Sequence, residues 1–113
     1  MKISHYSFGR IVVDGKSYTS DIIIYPDRVE DSWWRKEGHN LSLDDLKGVI
    51  DAEPAVLIIG TGYNGLMAVP EETVEALTSR GIEVHPLPTV QAVELYNRLE
   101  KDGNVIAALH LTC

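Results

Sequence analysis

The sequence predicts a single α/β domain over residues 1–113, in which an N-terminal β-hairpin is joined to a mixed, largely parallel sheet packed by about three helices. Three observations support this fold class. The 113 residues match the usual length of one domain. The first part of the chain has short apolar runs separated by turn residues, and the remainder alternates between helical and strand patterns.

The N-terminal part indicates strands. Asp14-Gly15 is a strong two-residue turn signal, and it lies between the runs 11–13 and 16–18, which predicts a hairpin. A further extended run, 21–25, ends before Pro26, which cannot donate a ladder hydrogen bond. The charged segment that follows has no sustained hydrophobic period, so we predict a loop there.

Three helices and three strands alternate in the other two thirds of the chain. Ser42 is a good N-cap for the first helix, Pro70 suits the start of the second, and Thr89 is predicted to cap the third. Gly81 and Gly103 stand where the second and third helices should stop. The predicted strands span 55–59, 82–85 and 105–111. This alternation is typical of helices packed on a largely parallel sheet.

The composition narrows the classes of partner. The formal net charge of -7, from 17 acidic against 10 basic residues, opposes attraction to phosphate backbones and anionic lipid, so we expect no nucleic acid and no membrane partner. The single cysteine, Cys113, cannot form an intrachain disulfide. The opening residues contain no apolar core of signal-peptide length, so we expect a cytoplasmic protein. The oligomeric state is not predicted.

The segment Gly60-Thr61-Gly62-Tyr63-Asn64-Gly65 matches the Gly-x-Gly-x-x-Gly pattern of a dinucleotide-binding turn. In such a turn the helix begins at the glycines, but a helix begun at Gly62 would place Pro70 in its interior, at a cost of about 3 kcal/mol. Glu83 has the spacing of a ribose-binding acid but falls in the middle of a predicted strand. Three interpretations stay open: a turn that needs glycine's backbone freedom, a dinucleotide site, and a smaller anion held by loop amides. We expect no cofactor.

A second candidate is the loop "WWRKEGH", residues 33–39, which combines two indoles with cationic, acidic and imidazole side chains. It is either a surface loop anchored by its tryptophans or a ligand or partner site. We expect Trp34 to pack beneath the loop and Arg35 to matter more than Lys36, because a planar guanidinium grips a carboxylate or phosphate with two hydrogen bonds. We also expect Arg35, with Glu37 or His39, to share a cleft with the glycine turn. The candidate ligand or partner residues are Trp34, Arg35, Glu37, His39, Gly60, Thr61, Gly62, Tyr63 and Asn64.

The histidines and the cysteine do not form a metal motif. His110 and Cys113 are three residues apart, but no second close pair accompanies them. His5, His39 and His85 belong to different segments, so a zinc site would have to be assembled wholly in three dimensions. We therefore expect no metal.

Several segments carry a resemblance to a known family: "VLIIGTGYNG", "RGIEV", "AVELYN", "HLTC" and "DSWWRKEGH". In these the chain resembles a family of small α/β domains of unknown function that includes the adipogenesis-associated protein and, more distantly, mitochondrial complex I assembly factor 3. The resemblance implies a compact α/β domain with a mixed sheet and brings no established reaction or cofactor. A role in respiratory-complex assembly belongs to the mitochondrial branch, and Gly65 lies outside the family pattern.

Two classes of function follow. In the first, the domain is a non-catalytic interaction or assembly-type module that docks on an unknown protein partner through the Trp33–His39 loop and the Gly60–Asn64 turn. In the second, it binds and transforms a small anionic metabolite, with Arg35 for charge recognition and Glu37 or His39 for proton transfer. A shallow, open surface around Arg35 would favour the first class, and a closed pocket with converging polar groups would favour the second.

Overall fold

The computed structural model describes all 113 residues. It contains eight strands, which form two sheets, and three α-helices. The strands are β1 (Ile3–Ser7), β2 (Arg10–Val13), β3 (Lys16–Tyr18), β4 (Ile22–Ile24), β5 (Val29–Glu30), β6 (Val56–Thr61), β7 (Glu83–Leu87) and β8 (Val105–His110). The helices are α1 (Lys47–Ala52), α2 (Glu71–Thr78) and α3 (Thr89–Leu99), with short 3-10 segments at Leu43–Leu46 and Glu100–Asp102. The predicted fold class is confirmed. Each helix is too short or too polar to cross a membrane.

The N-terminal hairpin belongs to a separate three-stranded antiparallel sheet of order β1-β2-β3. Asp14 and Gly15 connect β2 to β3 with φ angles of 49° and 81°, the left-handed pair that a two-residue hairpin turn needs. The predicted hairpin is therefore confirmed, and β1 extends it. Ile3, Ile11 and Val13 point from this sheet into the core.

The larger sheet has the order β5-β4-β8-β6-β7. Strand β6 pairs in parallel with both β8 and β7, whereas β4 runs antiparallel to β8 and to β5. The parallel pairs are thus confined to the three strands that helices connect. The two-residue strand β5 lies within the charged segment that was predicted to be a loop. A strand of two residues is too short to show an alternating hydrophobic pattern, so the sequence could not indicate it.

Each face of the larger sheet carries its own part of the core. On one face, Leu57 and Ile59 of β6 pack with Leu77 of α2 and with residues of α1. On the other face, Ile58 packs with Tyr96 of α3 and with the small sheet. Burial on both faces explains why β6 reads as a continuous apolar run, and burying each such side chain contributes about 1.5–3 kcal/mol.

The start of α3 differs from the prediction. Thr89 is the first helical residue and Pro88 is the N-cap, so the expected Thr89 cap is wrong. The Thr89 hydroxyl instead accepts a hydrogen bond from the Gly62 amide at 2.9 Å and donates one to the His110 carbonyl at 2.7 Å. It therefore links the ends of β6 and β8, a long-range role that a local capping pattern cannot reveal.

Candidate functional site

Strands β6 and β8 end side by side, with Thr61 paired to His110. Strand β4 is antiparallel to β8, so its first residue, Ile22, pairs with Leu109 at the same edge and Asp21 lies just beyond it. We call this the carboxyl edge. Ligands of α/β sheets commonly bind outside the carboxyl ends of parallel strands. Both candidate segments from the sequence reach this edge: the turn Gly60–Asn64 continues β6, and the loop Trp33–His39 contacts His110.

Three side chains at the carboxyl edge, Asp21, Arg35 and His110, form a buried ionic cluster. Oδ2 of Asp21 lies 2.8 Å from Nη1 of Arg35 and 2.8 Å from Nδ1 of His110. The Leu111 amide donates to Oδ1 of the same carboxylate at 2.8 Å, and Nη2 of Arg35 donates to the Gly38 carbonyl at 3.3 Å. The Arg35 side chain is only 6% exposed. Arg35 therefore stabilises its own loop and sheet rather than facing solvent.

The protonation of this cluster follows from its contacts. Burial raises the pKa of Asp21, but hydrogen bonds from His110, Leu111 and Arg35 together hold that pKa below its ordinary value. The carboxylate is thus ionised, and the proton on the His110 ring is assigned to Nδ1, which donates to Asp21. Nη2 of Arg35, 3.1 Å from the same Nδ1, then makes no hydrogen bond to it, since both are donors. Nε2 of His110 is buried without a hydrogen-bond partner.

The two tryptophans of the loop differ sharply in burial. Trp33 is 6% exposed, its indole donates to the Asp45 carbonyl at 3.0 Å, and the Arg35 guanidinium lies 4.8 Å from its ring centre. Trp34 is 82% exposed, so the expectation that it packs beneath the loop is wrong. The Trp33 amide also donates to the Asp21 carbonyl at 2.8 Å, so both the backbone and the indole of Trp33 are held by the fold.

The remaining loop candidates, Glu37 and His39, are exposed. The His39 ring lies 6.2 Å from the His110 ring, centre to centre, at an angle of 68°. The His39 carbonyl accepts a hydrogen bond from the Ala68 amide at 2.8 Å, and the Leu41 amide donates to the Ala68 carbonyl at 2.9 Å. The loop therefore lies directly beside the segment that follows the glycine turn.

The glycine turn is filled by the end of the chain. Gly62 has a φ of +106°, and a Cβ there would lie 2.5 Å from the Cys113 carbonyl carbon. The Tyr63 amide donates to the Thr112 carbonyl at 2.7 Å, and the Leu66 amide donates to the Cys113 carbonyl at 3.2 Å. The amides that would hold a phosphate in a dinucleotide turn are thus bonded to the chain itself. The helix expected from Pro70 begins at Glu71 with Pro70 as N-cap.

The structure does not place Arg35 and Gly62 around one cleft. Neither residue lines any of the four clefts of the domain: Arg35 meets the His110 side chain, and the Gly62 amide donates to the Thr89 hydroxyl. The nearest cleft to the loop has a volume of about 200 Å³ and is lined by Lys36, Glu37, Asn40, Ser42 and Asp44. A larger cleft of about 410 Å³ lies at the opposite edge, where the parallel strands begin, and includes Arg80.

Large apolar side chains are exposed at the carboxyl edge. Tyr63 of the turn is 49% exposed, and the edge of its ring meets Phe8, 54% exposed, with ring centres 6.0 Å apart. Leu66, three residues after Tyr63, is 58% exposed. Thr61, by contrast, is buried, and Asn64 is exposed. Phe8 could not be found from the sequence, because only the fold brings the β1–β2 turn next to Tyr63.

The sequence and the fold of this domain are similar to those of known proteins. Residues 3–110 match the family described as "Protein of unknown function (DUF498/DUF598)". The chain belongs to this family. The conserved hypothetical protein PH1505 from Pyrococcus horikoshii OT3 is 28% identical, with a TM-score of 0.82 and 100% of each chain covered. A protein from Bartonella henselae, described as an outer membrane protein, is 27% identical over 98% of this chain and 94% of its own, with a TM-score of 0.82.

A third comparison concerns the fold alone. A Bordetella pertussis protein, described as a Mth938-like domain, is 22% identical, with a TM-score of 0.77 and coverage of 97% of this chain and 85% of its own. The predicted membership of a family of unknown function is therefore confirmed. The more specific relation to the adipogenesis-associated protein and to complex I assembly factor 3 stays a prediction.

Proposed function

We propose that this domain is a non-catalytic docking or assembly-type module, which binds a protein partner through the Trp33–His39 loop and the Gly60–Asn64 turn. One observation carries the proposal. At the carboxyl edge the Arg35 guanidinium is ion-paired with Asp21 and the amides of Gly62, Tyr63 and Leu66 are bonded within the chain, whereas the side chains of Trp34 and Tyr63 are turned outward.

The Arg35 guanidinium and the backbone amides of the turn already have partners within the chain. The Arg35 guanidinium is paired with Asp21 and 6% exposed, and the amides of Gly62, Tyr63 and Leu66 all have acceptors in the chain. Releasing any of them to a ligand would leave a polar partner unsatisfied, at a cost of about 1–3 kcal/mol each. These groups are therefore poorly suited to bind an exchangeable small molecule.

The apolar side concerns Trp34 and Tyr63. Tryptophan and tyrosine are the residues that most often dominate the energy of protein interfaces, because they bury a large area and keep a polar group for the rim. Trp34 is 82% exposed on a loop whose backbone is fixed through Trp33 and Arg35, and Phe8 and Leu66 add to the exposed apolar area. A rigid backbone that presents aromatic side chains loses little entropy on binding.

The anionic-metabolite alternative, with Arg35, Glu37 and His39, has weaker support. Its charge-recognising residue already has a carboxylate partner in Asp21. The cleft that includes Glu37 measures about 200 Å³. Ligand pockets usually measure about 300–1,000 Å³ and bury most of the ligand. This shallow polar cleft therefore fits the docking proposal better.

The proposal is tested by comparing the proteins that variants of the domain retain from cell extract, measured by quantitative mass spectrometry. Trp34→Ser and Tyr63→Ser should each lose the same partner at least about tenfold, as expected for an interface anchor worth more than 1.4 kcal/mol. Arg80→Ala, at the opposite edge, is the matched control and should retain that partner. A partner retained equally by all variants, or lost equally by Arg80→Ala, would refute docking through this surface.

A further inference from the structure

We infer that the groove between strand β1 and helix α3 binds an extended peptide segment of a partner protein, in which an apolar and a basic residue stand two positions apart. The groove has a volume of about 260 Å³, and its walls are residues 3–6 of β1 and one stripe of α3, namely Val90, Val93, Glu94 and Asn97. None of these residues belongs to the loop or the turn of the proposed function, so this inference is independent of it.

The outer edge of β1 offers a free main-chain donor and acceptor at Tyr6. Strand β1 pairs with β2 alone, and the two-residue turn 8–9 joins Ser7 to Arg10, which form a hydrogen-bonded pair. Hydrogen-bonded and non-hydrogen-bonded pairs alternate along an antiparallel ladder, so the next pair, Tyr6 and Ile11, is not hydrogen-bonded. The amide and the carbonyl of Tyr6 therefore face away from β2, and neither has another backbone partner in the chain.

At the other end of this edge, the Asn97 side chain already takes the place of an added strand. Its Oδ1 accepts a hydrogen bond from the Ile3 amide at 3.0 Å, and its Nδ2 donates one to the Ile3 carbonyl at 2.7 Å. A β-bulge between Ile3 and His5 separates this pair from Tyr6. Asn97 thus satisfies the edge at Ile3 and leaves it open at Tyr6.

The outer edge of β7, by contrast, is protected. The Glu83 amide donates to the Ala55 carbonyl at 2.9 Å, so residues 83, 85 and 87 bond to β6, and Val84 and Pro86 face outward. Proline has no N–H and is one of the residues that keep other strands from an exposed edge. Strand β1 contains no proline, so its edge can accept an extended peptide.

Helix α3 determines which side chains such a peptide should carry. A residue paired with Tyr6 has its side chain on the same face of the sheet as Tyr6, and Val90, 44% exposed, and Val93 line the groove with it. Glu94 is exposed and lies one turn, about 6 Å, beyond Val90. Strand residues two positions apart share a face and lie about 6.6 Å apart, so an apolar residue at Val90 places the second residue beside Glu94. A lysine or arginine there complements the carboxylate.

Size and charge favour this peptide over other occupants. Small-molecule pockets usually measure about 300–1,000 Å³, and the groove is smaller than that. The net charge of -7 on each copy opposes the pairing of two copies of the domain and favours a cationic segment. Main-chain hydrogen bonds to Tyr6 would supply affinity, and the stripe of α3 would supply the choice of sequence.

The test is an NMR titration of the full domain with the peptide TKTVTKT, blocked at both ends. This sequence reads the same in both directions, so it has a lysine two positions from the valine whichever way it lies. The peptide should bind with a dissociation constant below about 1 mM and shift the signals of Tyr6, Val90 and Val93. Methylating the amide nitrogen of the central valine removes the donor for the Tyr6 carbonyl and should weaken binding at least about fivefold.

Charge variants test the choice of a basic residue. Glu94→Lys should weaken binding of TKTVTKT at least about threefold and should make TETVTET the better ligand. Glu75→Lys, on the exposed part of α2, makes the same change of net charge and is the matched control, which should keep the preference for TKTVTKT. Trp34→Ser should leave the peptide affinity unchanged, which separates this groove from the docking surface.

Four results would overturn the inference. Peptide shifts that do not saturate at millimolar concentration, or that lie away from β1 and α3, would show that the groove does not bind it. Equal affinity of the methylated peptide would show that the edge of β1 is not used. An equal effect of Glu75→Lys and Glu94→Lys would show attraction to the whole domain. A dimer in sedimentation velocity, with β1 signals that move on dilution, would assign the edge to a second copy instead.

Discussion

Replacing Gly62 by alanine should destabilise the domain more than any other glycine substitution in the series Gly15, Gly60 and Gly62. A Cβ at residue 62 would lie 2.5 Å from both the carbonyl carbon and the carbonyl oxygen of Cys113, at a φ of +106° that side chains rarely adopt. Backbone strain of this kind costs about 1–2 kcal/mol, and overpacking adds about 1–3 kcal/mol. We therefore expect a loss of about 3 kcal/mol in the free energy of unfolding.

Two matched glycines separate the two contributions. Gly15 has a φ of +81° with no atom within 4 Å of a Cβ, so Gly15→Ala should cost only the strain, about 1 kcal/mol. Gly60 has no positive φ, but a Cβ there would lie 2.8 Å from the Thr89 hydroxyl, so Gly60→Ala should report crowding alone. Urea unfolding followed by tryptophan fluorescence gives all three values. If Gly62→Ala costs no more than Gly15→Ala, the chain end does not fill the turn.

Four further predictions concern charge and ligands. Arg35→Ala should cost about 1–3 kcal/mol in urea unfolding, because it removes the cation paired with Asp21 and leaves that carboxylate only its hydrogen bonds from His110 and Leu111. Lys36→Ala, on the surface, should change the stability little, and equal effects of the two variants would contradict this prediction. The pKa of Asp21 is lowered in the folded state, so the ionised carboxylate stabilises the fold above about pH 4, and this contribution is lost as the pH falls through the folded pKa. In a plot of unfolding free energy against pH, Asp21→Asn should therefore reduce the fall in stability at acid pH. Burial raises the pKa of Tyr6 and of Tyr96 to about 12 and also raises the pKa of Tyr25. Absorbance at high pH should therefore show three late tyrosines among the five, and stability should fall as the pH rises from about 10 to about 12. Calorimetry should detect no binding of NAD, FAD or ATP, and micromolar affinity would disprove the reading of the glycine turn.

The elements with strong local signals could be predicted from the sequence. Asp14-Gly15 predicted the hairpin because a two-residue hairpin turn needs positive φ angles, which aspartate and glycine adopt more readily than most residues, and both have positive φ here. Pro70 excluded a helix beginning at the glycines, and α2 indeed begins at Glu71. The apolar run of β6 indicated a strand buried on both faces. Each of these features is decided by residues within a few positions of one another.

The predictions that proved wrong concern residues whose roles depend on contacts between distant parts of the chain. Thr89 has the composition of an N-cap, yet its hydroxyl is taken by Gly62 and His110 from two strands. Trp33 is the buried one of two adjacent tryptophans, and its amide and indole bond to Asp21 and Asp45, each 12 residues away in the chain. Asp21 itself carried no signal, because a single acid before a strand is ordinary in a sequence. The loop could thus be predicted from the sequence, but which of its side chains are buried and which are exposed could not.

The most direct test of the docking proposal is to place a photo-reactive phenylalanine analogue at residue 34 and irradiate the protein in its own cells. The Trp34 side chain is 82% exposed at the carboxyl edge, so the analogue should fold normally and cross-link one defined partner. The same analogue at Tyr63 should capture the same partner, and at Arg80, on the opposite edge, it should not. Cross-links from residue 80 to that partner, or none from residues 34 and 63, would contradict the assignment of this edge as the docking surface.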